Sequence, residues 1–289
     1  MLNIMISFLK THWRLSTAPI LLGGGVILFA LIIFTSTPSA AKPAVTWTPS
    51  SVTQIILPGG TDTISVSFTA SKNLTNVTIR VVPEVTPFVD VTPSSFPAVA
   101  KGETKTLQLA LSAPIADPLL GSFVRKGTIH LQRGTTTLAR PLSVSIFGLP
   151  PDPGEVGEAT LEGIDSDGDG IRDDIQRFIT LTHSDSARTR AALGQYAKAM
   201  QVALLDAGSK TDSIKHSRAA GHAIDCLYHV RSDDAFDVSG ELLAQILNTD
   251  ERNLTYFQYD AQLSGQFFPS TPLDLWKLSC AFDPDTLPN

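Results

Sequence analysis

Along residues 45–147 apolar and polar positions alternate with a period of two. Ile64, Val66 and Phe68 interleave with Thr63, Ser65 and Ser67, and the same alternation runs through Val77, Ile79 and Val81, through Leu107, Leu109 and Leu111, and through Leu142, Val144 and Ile146. Side chains two apart lie on one face of an extended chain, so each run predicts a strand with one buried face. Breakers at Pro58-Gly59-Gly60, Pro83, Pro93, Lys101-Gly102, Pro114 and Gly134 divide the runs. The result is about seven short strands in roughly one hundred residues, the pattern of an all-β sandwich. Pro141 cannot donate to a ladder and marks the last strand as an edge.

Beyond residue 163 the period lengthens to that of a helix. Ile175, Phe178, Ile179 and Leu181 outline a first amphipathic helix, and Ser186 is placed to cap a second that runs to Leu205. Further helices are predicted over Ser213–Val230, Gly240–Leu247 and Arg252–Phe268. In the last, Tyr256, Tyr259, Leu263 and Phe267 share one face, with Phe257, Ala261 and Phe268 beside it. Two adjoining apolar stripes predict burial on a broad face; an aromatic platform for carbohydrate is the alternative. Ala18–Phe34 forms an uninterrupted apolar and small run behind Lys10 and Arg14, an export signal. Ser39-Ala40-Ala41 has the small residues needed for cleavage before Lys42. Residues 1–41 therefore read as a signal peptide or an N-terminal membrane anchor, and either outcome places the chain from residue 42 onward outside the cytoplasm.

The fold class that follows is multidomain: an N-terminal hydrophobic helix, an all-β sandwich over 42–148, a Pro/Gly-rich linker over 149–163, and an Asp-rich loop leading into an all-α domain over 164–289. The β half resembles the Cys-free immunoglobulin-like modules of bacterial envelope proteins, which implies a spacer or binding surface rather than a catalytic body. A net charge of −6 counts against nucleic acid as a partner. Between Asp152 and Asp174 the only basic residue is Arg172, so the negative field is local and reads as a cation site.

The centre of that field is the run from Ile164 to Gln176. Asp165, Asp167 and Asp169 place carboxylates at alternate positions, Gly170 permits the sharp turn that folds them inward, Ile171 offers a backbone carbonyl, and Asp173 follows where a further ligand is needed. Calcium, with six to eight oxygen ligands, suits such a set. In an EF-hand the twelfth position is a bidentate Glu; here it is Gln176, so Asp173 and Asp174 are expected to close a shorter loop. Pro150-Pro151-Asp152-Pro153-Gly154 cannot form an entering helix, which leaves half an EF-hand. At Asp165, Asp167, Asp169 and Asp173 the run resembles the loops of thrombospondin type 3 repeats and dockerins. That resemblance implies a metal role for those residues, not an activity. An acidic surface linker without an ion is the alternative reading.

Cys226 and Cys280 are the two cysteines of the chain, and in an oxidising compartment we expect them to pair. The competing arrangement is a zinc site from His222, Cys226 and His229, which fall on one helix face at i, i+4 and i+7. No nucleophile elbow, zincin motif, phosphate loop or dinucleotide fingerprint is present in the sequence. Asn73, Asn76 and Asn253 begin glycosylation sequons, relevant in a host with that machinery.

The sequence is read as an exported or membrane-anchored envelope protein with calcium structural at a domain junction. It acts as a non-enzymatic adhesion or partner-binding module whose partner is a protein or a surface glycan, with the membrane contacted through the N-terminal helix if that helix is uncleaved. Two alternatives stand beside this reading. One is an extracytoplasmic hydrolase or other enzyme with an unrecognised site in the helical domain, a reading that a cleft joining His183, His216, His222 or His229 with Asp233, Asp234 or Asp237 would favour. The other is a structural accessory of an envelope assembly.

Overall fold

The structure is a computed structural model that describes residues 43–114 and 122–289. The expected N-terminal apolar helix within residues 1–41 lies outside the described residues. Among those described, no helix is long and apolar enough to cross a membrane.

Ten strands follow in order: β1 (Val45–Thr48), β2 (Ser51–Ile56), β3 (Thr61–Ala70), β4 (Leu74–Val81), β5 (Val89–Thr92), β6 (Ser95–Val99), β7 (Thr104–Ser112), β8 (Phe123–Arg133), β9 (Thr136–Thr137) and β10 (Leu142–Gly148). They form a β-sandwich of a four-stranded sheet, β1-β3-β7-β5, and a six-stranded sheet, β2-β10-β8-β4-β6, with β9 paired to β8. The alternation seen in the sequence sets the register. Val66 lies opposite Leu107 and Ile64 opposite Leu109, so the apolar members of both strands face the same way. Phe68, Leu107, Leu109, Ile129, Leu131, Leu142, Val144 and Ile146 meet in a fully buried core between the sheets.

One expectation is corrected here. The last strand is not an edge, because β10 lies between β2, to which it is parallel, and β8, to which it is antiparallel. Pro141 precedes the first paired residue, Leu142, so its missing N–H removes no ladder bond. The parallel pairing exists because the chain changes sheets between β1, which pairs with β3, and β2. Gly127 on β8 is where a β-carbon would stand 2.6 Å from a methyl of Val85, so the strand passes too close to its neighbour for a side chain.

The helical half contains α1 (Asp173–Thr182), α2 (Ala187–Leu205), α3 (Lys210–Arg231), α4 (Ala235–Ile246) and α5 (Asp250–Gln262). Ser186 caps α2 as its position predicts, accepting from the N–H of Thr189. α3 starts at Lys210 and not at Ser213, because Ser209 takes the capping role and accepts from the N–H of Asp212. α4 begins at Ala235, straight after a 3₁₀ turn, several residues before the expected Gly240. α5 stops at Gln262 and the chain turns at Gly265, whose φ of 76° is left-handed, so Phe267 and Phe268 are not helical. The broad buried face expected for this helix is reduced to a stripe: Tyr259 and Arg252 are buried, while Phe257 is 66% and Phe267 86% exposed.

Both halves belong to one compact unit. Their junction lies at the end of the sandwich where β10 finishes. Thr180 of α1 hydrogen-bonds Ser122 at 2.7 Å, Arg177 donates to the carbonyl of Pro150 at 2.8 Å, and Lys126 of β8 reaches Ser184 and Asp185. The Pro/Gly-rich stretch read as a linker is bonded along its length. Leu149 is fully buried, and the carbonyls of Gly157, Thr160 and Leu161 accept from the buried guanidinium of Arg252 at 2.7, 2.8 and 3.3 Å.

Candidate cation site

The loop before α1 is shaped by its own carboxylates. Oδ1 of Asp165 accepts from the N–H groups of Gly168 (2.9 Å) and Asp169 (3.2 Å), and Oδ2 from that of Gly170 (2.9 Å). Gly168 and Gly170, with φ of 70° and 87°, supply the left-handed turns that carry the chain around Asp165. Asp167 accepts from Asp169 N–H and Asp169 from Ile171 N–H, each across two residues. Asp173 closes the loop, with Oδ1 accepting from Ser166 N–H at 2.9 Å and its own N–H donating to the carbonyl of Ile164 at 2.7 Å. Ile171 turns inward and packs in the helical core with Ile175 and Ile179.

Oxygens of Asp165, Asp167 and Asp173 all lie within 4.8 Å of one another, the first two residues exposed and the third buried. Calcium–oxygen bonds of 2.3–2.6 Å place any two ligands of one ion no more than about 5 Å apart, so these three carboxylates fit a single coordination sphere. Their hard oxygen donors suit calcium in chemistry as well as spacing. Asp169 stands beside them. Burial pushes its carboxyl up to about 6, and the neighbouring charges of Asp167 and Asp165 act in the same direction, against the hydrogen bond from Ile171. Asp173 is raised too, again mainly by burial. A bound cation would remove the like-charge repulsion and favour both ionised forms.

Two further members of the expected set are engaged by neighbouring side chains. Asp174 is gripped by Arg172, whose Nε and Nη2 donate to its two carboxylate oxygens at 3.0 and 2.8 Å, so its charge is spent outside the loop. Gln176 lies under the loop with its amide nitrogen 3.0 Å from Asp167 and 3.4 Å from Asp169. The Asp173 and Asp174 closure is thus carried by Asp173.

Cys226 and Cys280 form a disulfide with their Cα atoms 4.8 Å apart. Cys226 is therefore no zinc ligand, and the His222, Cys226 and His229 arrangement lacks its thiolate. Of the histidines and acids of the hydrolase alternative, His183 lies close enough to Asp234 for their charges to act on one another. A cleft of about 740 Å³ is lined by Asp185, Arg231, Asp233 and Asp234 without a histidine, and Asp234 is ion-paired to Arg231. His216 pairs with Asp206 at 2.7 Å, and His222 lines a different cleft with Arg218 and Asp225.

What sequence reasoning missed is a buried pair of arginines next to the loop. Arg172 and Arg252 are 1% and 0% exposed. The isolation of Arg172 in an acidic run was a visible signal; Arg252, on a helix of mixed polarity, carried none.

No family model matches the chain, and no curated protein matches it. Among solved structures, it is similar to the ASH/PapD-like domain of human CEP192, at 8% identity over 46% of this chain and 100% of that one, with a TM-score of 0.30. It is also similar to WR4, a C. elegans member of the MSP family, at 9% identity over 37% and 99% of the two chains, with a TM-score of 0.27. The E. coli chaperone DraB gives 12% identity over 38% of this chain and 56% of its own, with a TM-score of 0.27.

Proposed function

We propose that this chain is an exported binding protein whose helical half is held on an immunoglobulin-like pedestal by a structural calcium ion. The observation that carries the reading is the convergence of Asp165, Asp167 and Asp173 within 4.8 Å at the start of α1. Asp173 is the first residue of that helix, and Arg177 and Thr180 further along it hold the sandwich. Calcium on these carboxylates, with Asp169 and the Ile171 carbonyl as further oxygen donors, would fix the helix that joins the two halves. When bound, the ion supplies charge neutralisation and a rigid cross-link; no reaction is assigned to it. A lone loop without an entering helix belongs with structural sites, of affinity about 10⁻⁴ to 10⁻³ M in extracellular modules.

Export is supported by the basic and apolar N-terminal run and by the disulfide, a bond of oxidising compartments. Presentation of the helical half is supported by the strand register. Val45 pairs with Ala70 at one end of β3, whereas Thr61, Ile56 and Gly148 gather at the other, from which the helical half follows. The described chain thus enters the sandwich at the end away from the helices, which a strand of ten residues places roughly 33 Å from the other end. A partner, protein or surface glycan, would meet the helical half, where Leu254, Phe257 and Phe267 stand exposed.

Calorimetric titration of calcium into the chelator-treated full chain in mild detergent, beside Asp167→Ala and Asp169→Ala variants, tests the reading. Saturable heat and a calcium-dependent rise in melting temperature, both absent from the variants, are expected. A folded chain that gives no heat up to several millimolar calcium would overturn it.

A further inference from the structure

Arg172 and Arg252 are held by one shared acceptor. Oδ1 of Asn248 lies 3.2 Å from Nη2 of Arg172 and 2.6 Å from Nη1 of Arg252. Arg172 also donates to the carbonyl of Ile246 at 3.0 Å and forks onto Asp174, while Arg252 binds the carbonyls of Gly157, Thr160 and Leu161. Two fully buried guanidiniums thus join the cation loop and the adjoining residues 157–161 to the α4–α5 connection, more than seventy residues further along the chain. Such groups are costly to bury unless every donor is met, so the network has little freedom to rearrange piecemeal. Space is equally tight, since a β-carbon on Gly163 would stand 2.5 Å from Cδ of Arg172.

Arg172 is bonded directly to Asp173, whose carboxylate belongs to the cation cluster and whose N–H is held by Ile164. We propose that Arg172, Asn248 and Arg252 are positioning residues that relay occupancy of the cation loop to residues 157–163 and 248–253. Fixing Asp173 fixes the backbone from which the Arg172 side chain departs. Arg172 then holds Asn248, Asn248 orients Arg252, and Arg252 clasps the 157–161 carbonyls. The inference rests on the calcium reading above and adds that the ion orders more than its own loop.

Hydrogen exchange of the full chain, with calcium or with chelator, tests it alongside calorimetry. In the native chain calcium is expected to slow amides of 157–163 and 248–253 by roughly fivefold or more, the lower end of ordinary site coupling. Asn248 is exposed, so Asn248→Ala removes the shared acceptor without opening the core. It should still bind calcium with saturable heat, its affinity weakened by no more than the coupling that is lost. It should keep the slowing of 164–176 and lose that of 157–163 and 248–253. Asn248→Asp, which retains an acceptor oxygen, should restore the slowing; should the alanine variant not fold, Arg252→Lys serves in its place. Slowing confined to 164–176 in the native chain, or undiminished remote slowing in Asn248→Ala, overturns the relay and leaves the calcium site standing. Absence of calcium heat removes the site and the relay together.

Discussion

The N–H of Ser166 donates to Oδ1 of Asp173 at 2.9 Å, closing the acidic loop onto the first turn of α1. The same carboxylate is one of three whose oxygens lie within 4.8 Å of one another, so one side chain ends the loop, starts the helix and would face a bound ion. Asp173→Ala leaves the Ser166 N–H unmet in a partly buried place. We expect a loss of about 1–3 kcal/mol in urea unfolding of the metal-free chain, the usual cost of orphaning such a group. Calcium should then add no stability.

Asp169 makes the metal-free protein sensitive to pH. Its folded-state pKa, about 6, lies above the ordinary 3.8 because the half-buried side chain is partly desolvated. The folded chain therefore binds this proton more tightly than the unfolded one, and the resulting stability is present below about 3.8 and lost as pH rises through about 6. Asp169→Asn should remove that part of the decline, as read by denaturant midpoints across this window.

Calcium binding would follow the opposite sense, since the ion requires ionised carboxylates. Affinity should fall as pH drops through about 6, with a proton released on binding. Titrations in buffers of differing ionisation enthalpy measure that proton. Equal affinity and no proton release across the window would refute the assignment of Asp169 to the site.

The contact between Thr180 and Ser122 is buried and joins the two halves. Ser122→Ala removes this partner hydroxyl while Thr180 keeps its bond to the Gln176 carbonyl, so the cost should be about 1 kcal/mol. Calorimetric unfolding of the variant should show the helical half beginning to separate from the sandwich transition.

The Cys226–Cys280 bridge spans 54 residues and ties the C-terminal segment to α3. Replacing both by Ala should lower stability by roughly 4 kcal/mol in the chain-entropy account. Gln195 also holds that segment, through Ser279 and Ala281, so the double variant should keep its fold at low temperature. Intact mass after alkylation without reductant checks the bridge itself.

Much of this architecture is a matter of local pattern. Alternation of apolar residues with Thr and Ser determined the strands and their inner faces, because a strand offers its neighbours one face at every second residue. Alternating aspartates with Gly168 and Gly170 determined the loop, because its turns are made by bonds across two to five residues. Both can be read without knowing what lies across the fold.

Tertiary structure decided the rest. Pro141 looked like an edge marker until β2, more than eighty residues earlier, was seen to pair beside β10. The apolar stripes of α5 had no partner wide enough to cover them, so Phe257 remained in solvent. Asp174 was drawn from the loop by a guanidinium two residues away, whose orientation depends on carbonyls and an amide more than seventy residues distant. The sequence by itself determined which residues form each element and where charge collects. Which charges gather in one cluster, and which are consumed in holding the fold, depended on long-range partners that no local spacing encodes.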